Sequence, residues 1–150
     1  MTASVTFPGR IQSIQLCPGY RKPMHPVDTA EAIERLGLKG DNHALPESSR
    51  QILLIEKETL DELKLSPGEV KENITTSGIH LMTFKSKDWL QVGADVILEI
   101  TKPCSPCSRI EEIRAGLLKE IAGRRGMLAR VIRGGTIVRG DSIRQIDRAP

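Results

Sequence analysis

Short apolar runs separated by Gly, Pro, Asn and Asp dominate the chain, a pattern that predicts many β-strands and few helices. The expected strands are Arg10–Leu16, Gln51–Ile55, Val70–Thr75, Asp95–Thr101, Met127–Ile132, Thr136–Arg139 and Ser142–Ile146. Asp95–Thr101 is the clearest, because Val96, Leu98 and Ile100 share one face by the two-residue period. Gly134-Gly135 lies between Val131-Ile132 and Ile137-Val138. Two glycines can take the positive φ angles of a tight turn, which predicts a hairpin there.

Three helices are expected. Asp28-Thr-Ala-Glu31 fits a capping box and Gly37 a C-terminal stop, giving a helix near Thr29–Leu36. A second spans about Glu56–Leu65, ended by Ser66-Pro67-Gly68. In the third, Ile110, Ile113, Leu117 and Ile121 recur at helical spacing behind a Ser108-Arg-Ile-Glu111 capping box, and Gly123 closes it. The stretch Pro18–Pro26 reads as a loop, and no repeat or long linker is visible. The fold class expected is mainly β.

At 150 residues the chain matches one domain, with its core over about 10–146. With 39% hydrophobic and 27% charged residues, the balance is that of a globular protein. No apolar run approaches the roughly 20 residues of a membrane span, and the N-terminus lacks a secretory pattern, so no membrane association and a cytoplasmic location are expected. From Thr101 onward there are eleven Lys and Arg against five Asp and Glu, whereas the first hundred residues carry eleven against fourteen. This basic excess shares its third of the chain with Cys104 and Cys107, which favours an anionic ligand near the thiols or a solvated basic surface. A nucleic-acid-binding domain is a poorer reading. Of Phe7, Tyr20, Phe84 and Trp89, none lies in the basic third to stack on bases.

Three cysteines are too few for a disulfide framework, which leaves packing, metal binding or reactivity. Cys104-Ser-Pro-Cys107 follows a strand and precedes a helix. With Ser108 as N-cap, Cys107 sits just before it, beside unpartnered N–H groups. With Ser105 as cap and Pro106 at the first helical position, it falls inside the first turn. Either place favours a thiolate over the ordinary thiol of pKa about 8.5, and Lys102 and Arg109 push the same way. A thiolate accepts sulfur, attacks electrophiles or binds a soft metal. The bland alternative is a pair of small hydrophobes at a strand–helix junction. For Cys17, at the end of a strand-like run, packing is the favoured role. Zinc is not expected, since His25, His43 and His80 are scattered singly. A thioredoxin-like dithiol module remains an alternative, although its alternating β–α pattern is not seen.

Gly40-Asp41-Asn42-His43, Arg50-Gln-Ile-Leu-Leu-Ile55, Glu72-Asn73-Ile74-Thr75-Thr76-x-Gly78-Ile79, Lys102-Pro-Cys-Ser-Pro-Cys107, Arg125-Gly126 and Gly140-Asp141 occur in this order. In this combination the chain resembles the MOSC family, named for the C-terminal domain of molybdenum cofactor sulfurase, over roughly Arg10 to Ile146. The resemblance implies a β-barrel with a few short peripheral helices and a functional cysteine at Cys107. It implies binding of molybdenum cofactor (molybdopterin) or sulfur carriage, with Cys107 as persulfide carrier or molybdenum ligand, or else molybdenum-dependent reduction of N-hydroxylated compounds.

Such a cofactor, a pterin with a dithiolene and a phosphate, calls for a soft sulfur ligand, anion-binding groups and polar partners for the ring. By resemblance the cationic candidates are Arg50, Arg109 and Arg125. Asn73 is a candidate to bond the pterin or to order a turn. His43 is a candidate to orient the ligand or donate a proton, or an ordinary hydrogen-bonded histidine. Cys104 lies outside the most general family motif and is a candidate to resolve a persulfide on Cys107 as a disulfide. The pyridoxal-phosphate-dependent desulfurase domain of the large sulfurases and the additional N-terminal barrel of the mitochondrial reductases are not seen. A separate cysteine desulfurase is therefore the expected sulfur donor, with molybdopterin biosynthesis proteins or molybdoenzymes as further partners.

Overall fold

The computed structural model describes residues 8–148. Seven strands close a barrel. Round its wall run β11 (Ser142–Ile146), β7 (Trp89–Val92), β8 (Val96–Pro103), β9 (Met127–Arg133), β5 (Ile52–Glu56), β6 (Ile74–Ser77) and β1 (Gly9–Leu16). The ring closes where Gly9 and Arg10 of β1 pair with Ile143 and Ser142. Beyond that seam β2 (His25–Val27) pairs with the second half of β1. A separate three-stranded sheet holds β10 (Gly135–Val138), β3 (Thr29–Ile33) and β4 (Gly37–Leu38) in that order.

The two-residue period fills the barrel as expected for β8, whose Val96, Leu98 and Ile100 are fully buried in the main core. In β1 a register shift between Ile11 and Ser13 lets both Ile11 and Ile14 enter that core. The Ile52-Leu-Leu-Ile55 run is buried on both faces, as befits a strand in a parallel pairing, here with β6. Ile52 and Leu54 join the barrel core, while Ile55 enters a second cluster. There it meets Leu60, Leu63, Leu65 and Val70 from the crossover carrying α1 (Lys57–Glu62), and Leu117 and Ile121 from the region of α2 (Leu117–Glu120). Leu53, Leu128 and Cys104 form a third cluster, apart from the barrel interior.

Several local expectations are corrected. Thr29–Leu36 is not a helix: Thr29–Ile33 is β3, with Ala30 and Ala32 buried and Thr29 and Glu31 exposed. Pairing with β10 overrides the capping signal, and Asp28 and Glu31 instead approach Arg139 at 3.7 Å and Lys39 at 3.9 Å. The Gly134-Gly135 segment makes no hairpin with β9, since β10 leaves the barrel to pair with β3. Glycine at 134 serves close chain approach, because a Cβ there would lie 2.5 Å from the Ala32 carbonyl oxygen.

The third helix is broken. A 3-10 turn covers Ser108–Glu112, Gly116 takes φ +89°, and α2 follows. Glu111 does not cap its own turn back to Ser108. It reaches forward to accept N–H groups of Gly116 and Leu118 at 2.8 and 2.9 Å, which holds α2 in place. The strand expected over Val70–Thr75 begins only at Ile74, after a turn in which Lys71 has φ +68°. Strands β2 and β4 carry too few apolar residues to be expected, and β7, with Leu90 and Val92 buried, is only four residues long. No helix among the described residues is long and apolar enough to cross a membrane.

Candidate functional site: a cationic cleft beside Cys107

Three connections meet outside the barrel wall where Leu53 of β5 and Leu128 of β9 pack on Cys104. One follows β4 and carries Asp41, His43 and Arg50. A second precedes β6 and carries Lys71, Glu72 and Asn73. The third, after β8, carries Cys104 and Cys107, and returns to β9 through Arg125. They enclose a cleft of about 520 Å³ with Cys107, His43, Arg50, Lys71, Arg109 and Arg125 on its walls. It continues into a chamber of about 100 Å³, which shares His43, Arg50, Lys71 and Arg125 and adds Leu53, Asn73, Cys104 and Leu128.

The two thiols are placed differently. Cys107 is exposed, while Cys104 is buried and its N–H is fixed on the Gly126 carbonyl at 2.8 Å. Cys107, not Ser108, is the cap residue of the short 3-10 turn, with extended backbone (φ −113°, ψ 162°) and a carbonyl that accepts the Ile110 N–H. A turn of this length has little dipole to offer. The cations that share the cleft with Cys107 are side chains: Arg21, Lys22, Arg50, Lys71, Arg109 and Arg125, against Glu69 and Glu112. Lys102, expected to act on the thiol, is exposed on β8 and is not part of that wall.

Arg125 is the unusual cation. It is 6% exposed, and its Nη2 donates to the Val70 carbonyl oxygen at 2.5 Å. Its Nε and Nη1 are buried without a partner. Burial lowers its affinity for the proton, and the nearby Cys104, Glu72 and Cys107 pull it back up. Glycine follows it for a steric reason. Gly126 has φ +108°, and a Cβ there would come within 2.3 Å of the Leu54 carbonyl oxygen.

Behind the cleft lies a buried polar lattice. Asp41 Oδ1 accepts the Cys17 N–H at 2.7 Å and Asn73 Nδ2 at 3.0 Å. Its Oδ2 accepts the His43 N–H at 3.1 Å and stands 3.5 Å from His43 Nδ1. Asn73 also donates to the Gln15 carbonyl oxygen and accepts the Leu53 N–H. With both amide hydrogens spent on the protein, Asn73 keeps one Oδ1 lone pair for anything in the chamber. Glu72 is fully buried, its Oε2 accepting from Gly68 N–H at 2.9 Å and Thr75 Oγ1 at 2.8 Å. Burial raises its proton affinity above the ordinary carboxylate range, against those two hydrogen bonds and the charge of Arg125.

The cleft's outer edge is the loop between β1 and β2, residues 17–24; the loop expected over Pro18–Pro26 ends early because His25 and Pro26 pair with β1. Arg21 Nη1 donates to Glu112 Oε1 at 3.4 Å, and the Arg109 guanidinium carbon lies 4.9 Å from the Tyr20 ring centre. The neighbouring Arg21 guanidinium, then the charge of Arg109, lowers the Tyr20 phenol's pKa. The structure thus brings together Cys107, His43, Arg50, Arg109 and Arg125 on the cleft, with Cys104 and Asn73 in the chamber. Sequence reasoning missed Asp41, Lys71 and Tyr20 as parts of the site, and Cys17, buried though it is, reaches the cleft wall. Asp41 stood in the quoted Gly-Asp-Asn-His run and was the one signal available. Among the described residues no three His, Cys, Asp or Glu side chains converge on a metal position.

The fold and site define a class: a small closed β-barrel with an exposed thiol on a cation-lined cleft outside its wall. The chain belongs to the MOSC domain family, whose pattern matches residues 39–144 and so spans every connection that builds the cleft except the loop between β1 and β2. Among solved structures it resembles the YUAD protein from Bacillus subtilis, at 18% identity over 91% of this chain and 94% of that one, with a TM-score of 0.80. It also resembles YiiM from Geobacillus stearothermophilus, at 20% identity over 94% of this chain and 76% of that one, TM-score 0.73. YiiM from Escherichia coli aligns at 19% identity over 93% and 71%, TM-score 0.68. At such identities the likeness speaks for the barrel alone. No curated protein matches the sequence.

Proposed function

We propose that this protein binds molybdenum cofactor or carries sulfur for such centres, with Cys107 as molybdenum ligand or persulfide carrier. One observation carries the reading: the exposed Cys107 thiol shares a cleft with Arg125, a buried cation whose Nε and Nη1 have no partner among the described residues. An orphaned guanidinium is costly to bury, and an anionic group is what satisfies it. A phosphate-bearing, sulfur-rich cofactor fits that donor set.

Arg125, Arg50 and Lys71 would hold the phosphate in the inner chamber, the wider cleft beside Arg109 would take the ring, and Asn73, bonded to Gln15 and Leu53, orders the connection that carries Lys71. Bound there, the cofactor would supply a soft metal centre open to a thiolate. His43, held by the buried Asp41, is placed to take or give a proton at the cleft wall. As sulfur carrier, Cys107 would be charged by a cysteine desulfurase and discharged to molybdopterin biosynthesis proteins or molybdoenzymes. Its exposure suits exchange with another protein. The Asp41–His43 pair also favours a second reading, reduction of N-hydroxylated compounds, because that reaction consumes protons along with electrons from an outside donor.

Metal analysis and intact-mass spectrometry on protein from a molybdenum-sufficient host test the proposal. Bound molybdopterin or a sulfur adduct is expected, and Cys107→Ser abolishes it. Absence of both signals, while a control molybdoenzyme from the same host is loaded, refutes the reading.

A further inference from the structure

We infer that Cys107 takes its sulfur directly from a small sulfane-sulfur dianion of the thiosulfate class, with the inner chamber as the seat of the oxyanion end. The inference rests on the sulfur-carrier reading above and adds an activity to it, thiosulfate sulfurtransfer.

The chamber sets the size. At about 100 Å³ it has room for a few waters' worth of ligand, taking roughly 30 Å³ per water, which suits a tetrahedral oxyanion and is too little for a bicyclic ring. Its lining sets the charge. Arg50, Lys71 and Arg125 converge on it with no carboxylate among the lining residues. Arg125 is 94% buried by its 6% exposure and has two unpartnered N–H positions, Nε and Nη1, the edge that can grip two oxygens of one anion. The connection to the cleft sets the reaction. Four residues are common to chamber and cleft, so an anion seated inside presents its outer atom toward the space that Cys107 lines. Arg125 lines both spaces, sharing the cleft with Cys107 and the chamber with Cys104.

The step balances without any other reagent. The Cys107 thiolate attacks the outer sulfur of thiosulfate, a new S–S bond forms, and the bond between the outer and central sulfurs breaks. Its electron pair leaves on sulfite. Cys107 is oxidised to the persulfide level and the sulfonate sulfur is reduced to sulfite. The summed charge of thiolate and dianion equals that of persulfide and sulfite. Charge gathers on the departing oxyanion, and the unpartnered donors of Arg125 are aimed at where it gathers. A desulfurase charges the exposed thiol through protein contact, which leaves the chamber free to serve a small-molecule donor as a second source.

The test is anaerobic incubation of the full chain with thiosulfate and, in a parallel arm, with inorganic polysulfide. Gain of one sulfur atom is read by intact mass and peptide mapping, with sulfite release and thiocyanate formation from cyanide as kinetic readouts. Thiosulfate is expected to charge Cys107 with matching sulfite release, and sulfite to compete. Arg125→Gln, and Arg50→Gln as the variant that leaves the buried lattice untouched, are each expected to raise the half-saturating thiosulfate concentration about tenfold, the size of one lost charge-assisted hydrogen bond. Charging by polysulfide should change far less. Charging by polysulfide but not by thiosulfate overturns the inference and leaves the carrier reading standing. No charging in either arm removes both. Charging by thiosulfate that is indifferent to Arg50→Gln and to Arg125→Gln also overturns it, as ordinary thiol reactivity.

Discussion

The Asp41 carboxylate lies 3.5 Å from His43 Nδ1, its own side chain wholly buried and the imidazole side chain 46% exposed. The burial is asymmetric, and so are the roles. Asp41 is fixed from behind by Cys17 N–H and Asn73 Nδ2, and it in turn holds the His43 backbone N–H, with the imidazole beside it. Nδ1 facing a carboxylate leaves Nε2 as the nitrogen available for proton transfer.

The same contacts make Asp41 structural. Asp41→Ala strips acceptors from Cys17 N–H, His43 N–H and Asn73 Nδ2, two of them on buried residues, and is expected to cost about 3 kcal/mol. Asp41→Asn keeps the shape but turns an amide N–H toward donors, so it should also destabilise. Urea unfolding monitored by Trp89 fluorescence measures both, and an Asp41→Ala loss below about 0.5 kcal/mol would show that these bonds do not hold the cleft together.

Glu72 and Glu111 should bend the stability–pH curve in opposite directions. Burial raises Glu72 in the folded state, so from the unfolded carboxylate value of about 4.3 upward the folded protein keeps a proton that the unfolded chain has released. Stability due to Glu72 therefore falls as pH rises through that window. Glu72→Gln should gain on the parent across the window and match it below. The N–H groups of Gly116 and Leu118 depress Glu111, so its contribution is present above about 4.3 and is lost as pH falls through its folded value. Glu111→Gln should accordingly lose ground at neutral pH and draw level in acid. Chemical denaturation of the three proteins from pH 2 to 8 separates the two signs, Glu111 in the acid limb and Glu72 above about 4.3, and curves parallel throughout would contradict both assignments.

Gly126→Ala is expected to be among the most damaging single changes. Its Cβ would meet the Leu54 carbonyl oxygen at 2.3 Å in a backbone conformation that disfavours any side chain. The Gly126 carbonyl also fixes the Cys104 N–H, so relief of the clash moves the floor of the chamber. A loss on the order of 4 kcal/mol or more is expected, or failure to fold. A near-normal melting temperature would mean that β5 and β9 can separate locally without cost.

What the sequence disclosed follows from which forces are local. Val96, Leu98 and Ile100 announced β8 because one face of a strand is buried and its period is two. The Thr29–Ile33 strand was hidden because Asp28 and Glu31 imitate a cap, and only the distant β10 decides between helix and strand. Short β2 and β4 have too few residues for any period to show. In the site, Cys107 was legible from its spacing to Cys104 and from the family pattern. The orphaned donors of Arg125 were not, since its partner Val70 lies 55 residues away in sequence. Asp41 was likewise obscured, because its ligands come from Cys17, His43 and Asn73 on three different connections.

The thiols offer the most direct check on the cleft, because burial and charge make separate predictions about them. Cys107 is exposed while Cys17 and Cys104 are 6% and 7% exposed, so alkylation of the folded protein should modify Cys107 first, with the other two following only on unfolding. Burial alone would give that order with any reagent. The cations of the cleft add a dependence on reagent charge: an anionic aromatic disulfide should react with Cys107 faster than a neutral one of like reactivity, and salt should narrow the gap by screening. Arg109→Gln and Arg50→Gln should each reduce it as well, since both side chains line the cleft with Cys107. Stopped-flow rates with the two reagents at low and high salt give the comparison. Equal rates at low salt would mean that the cleft's charges do not act at the sulfur, and the anionic-ligand assignment would lose its electrostatic basis.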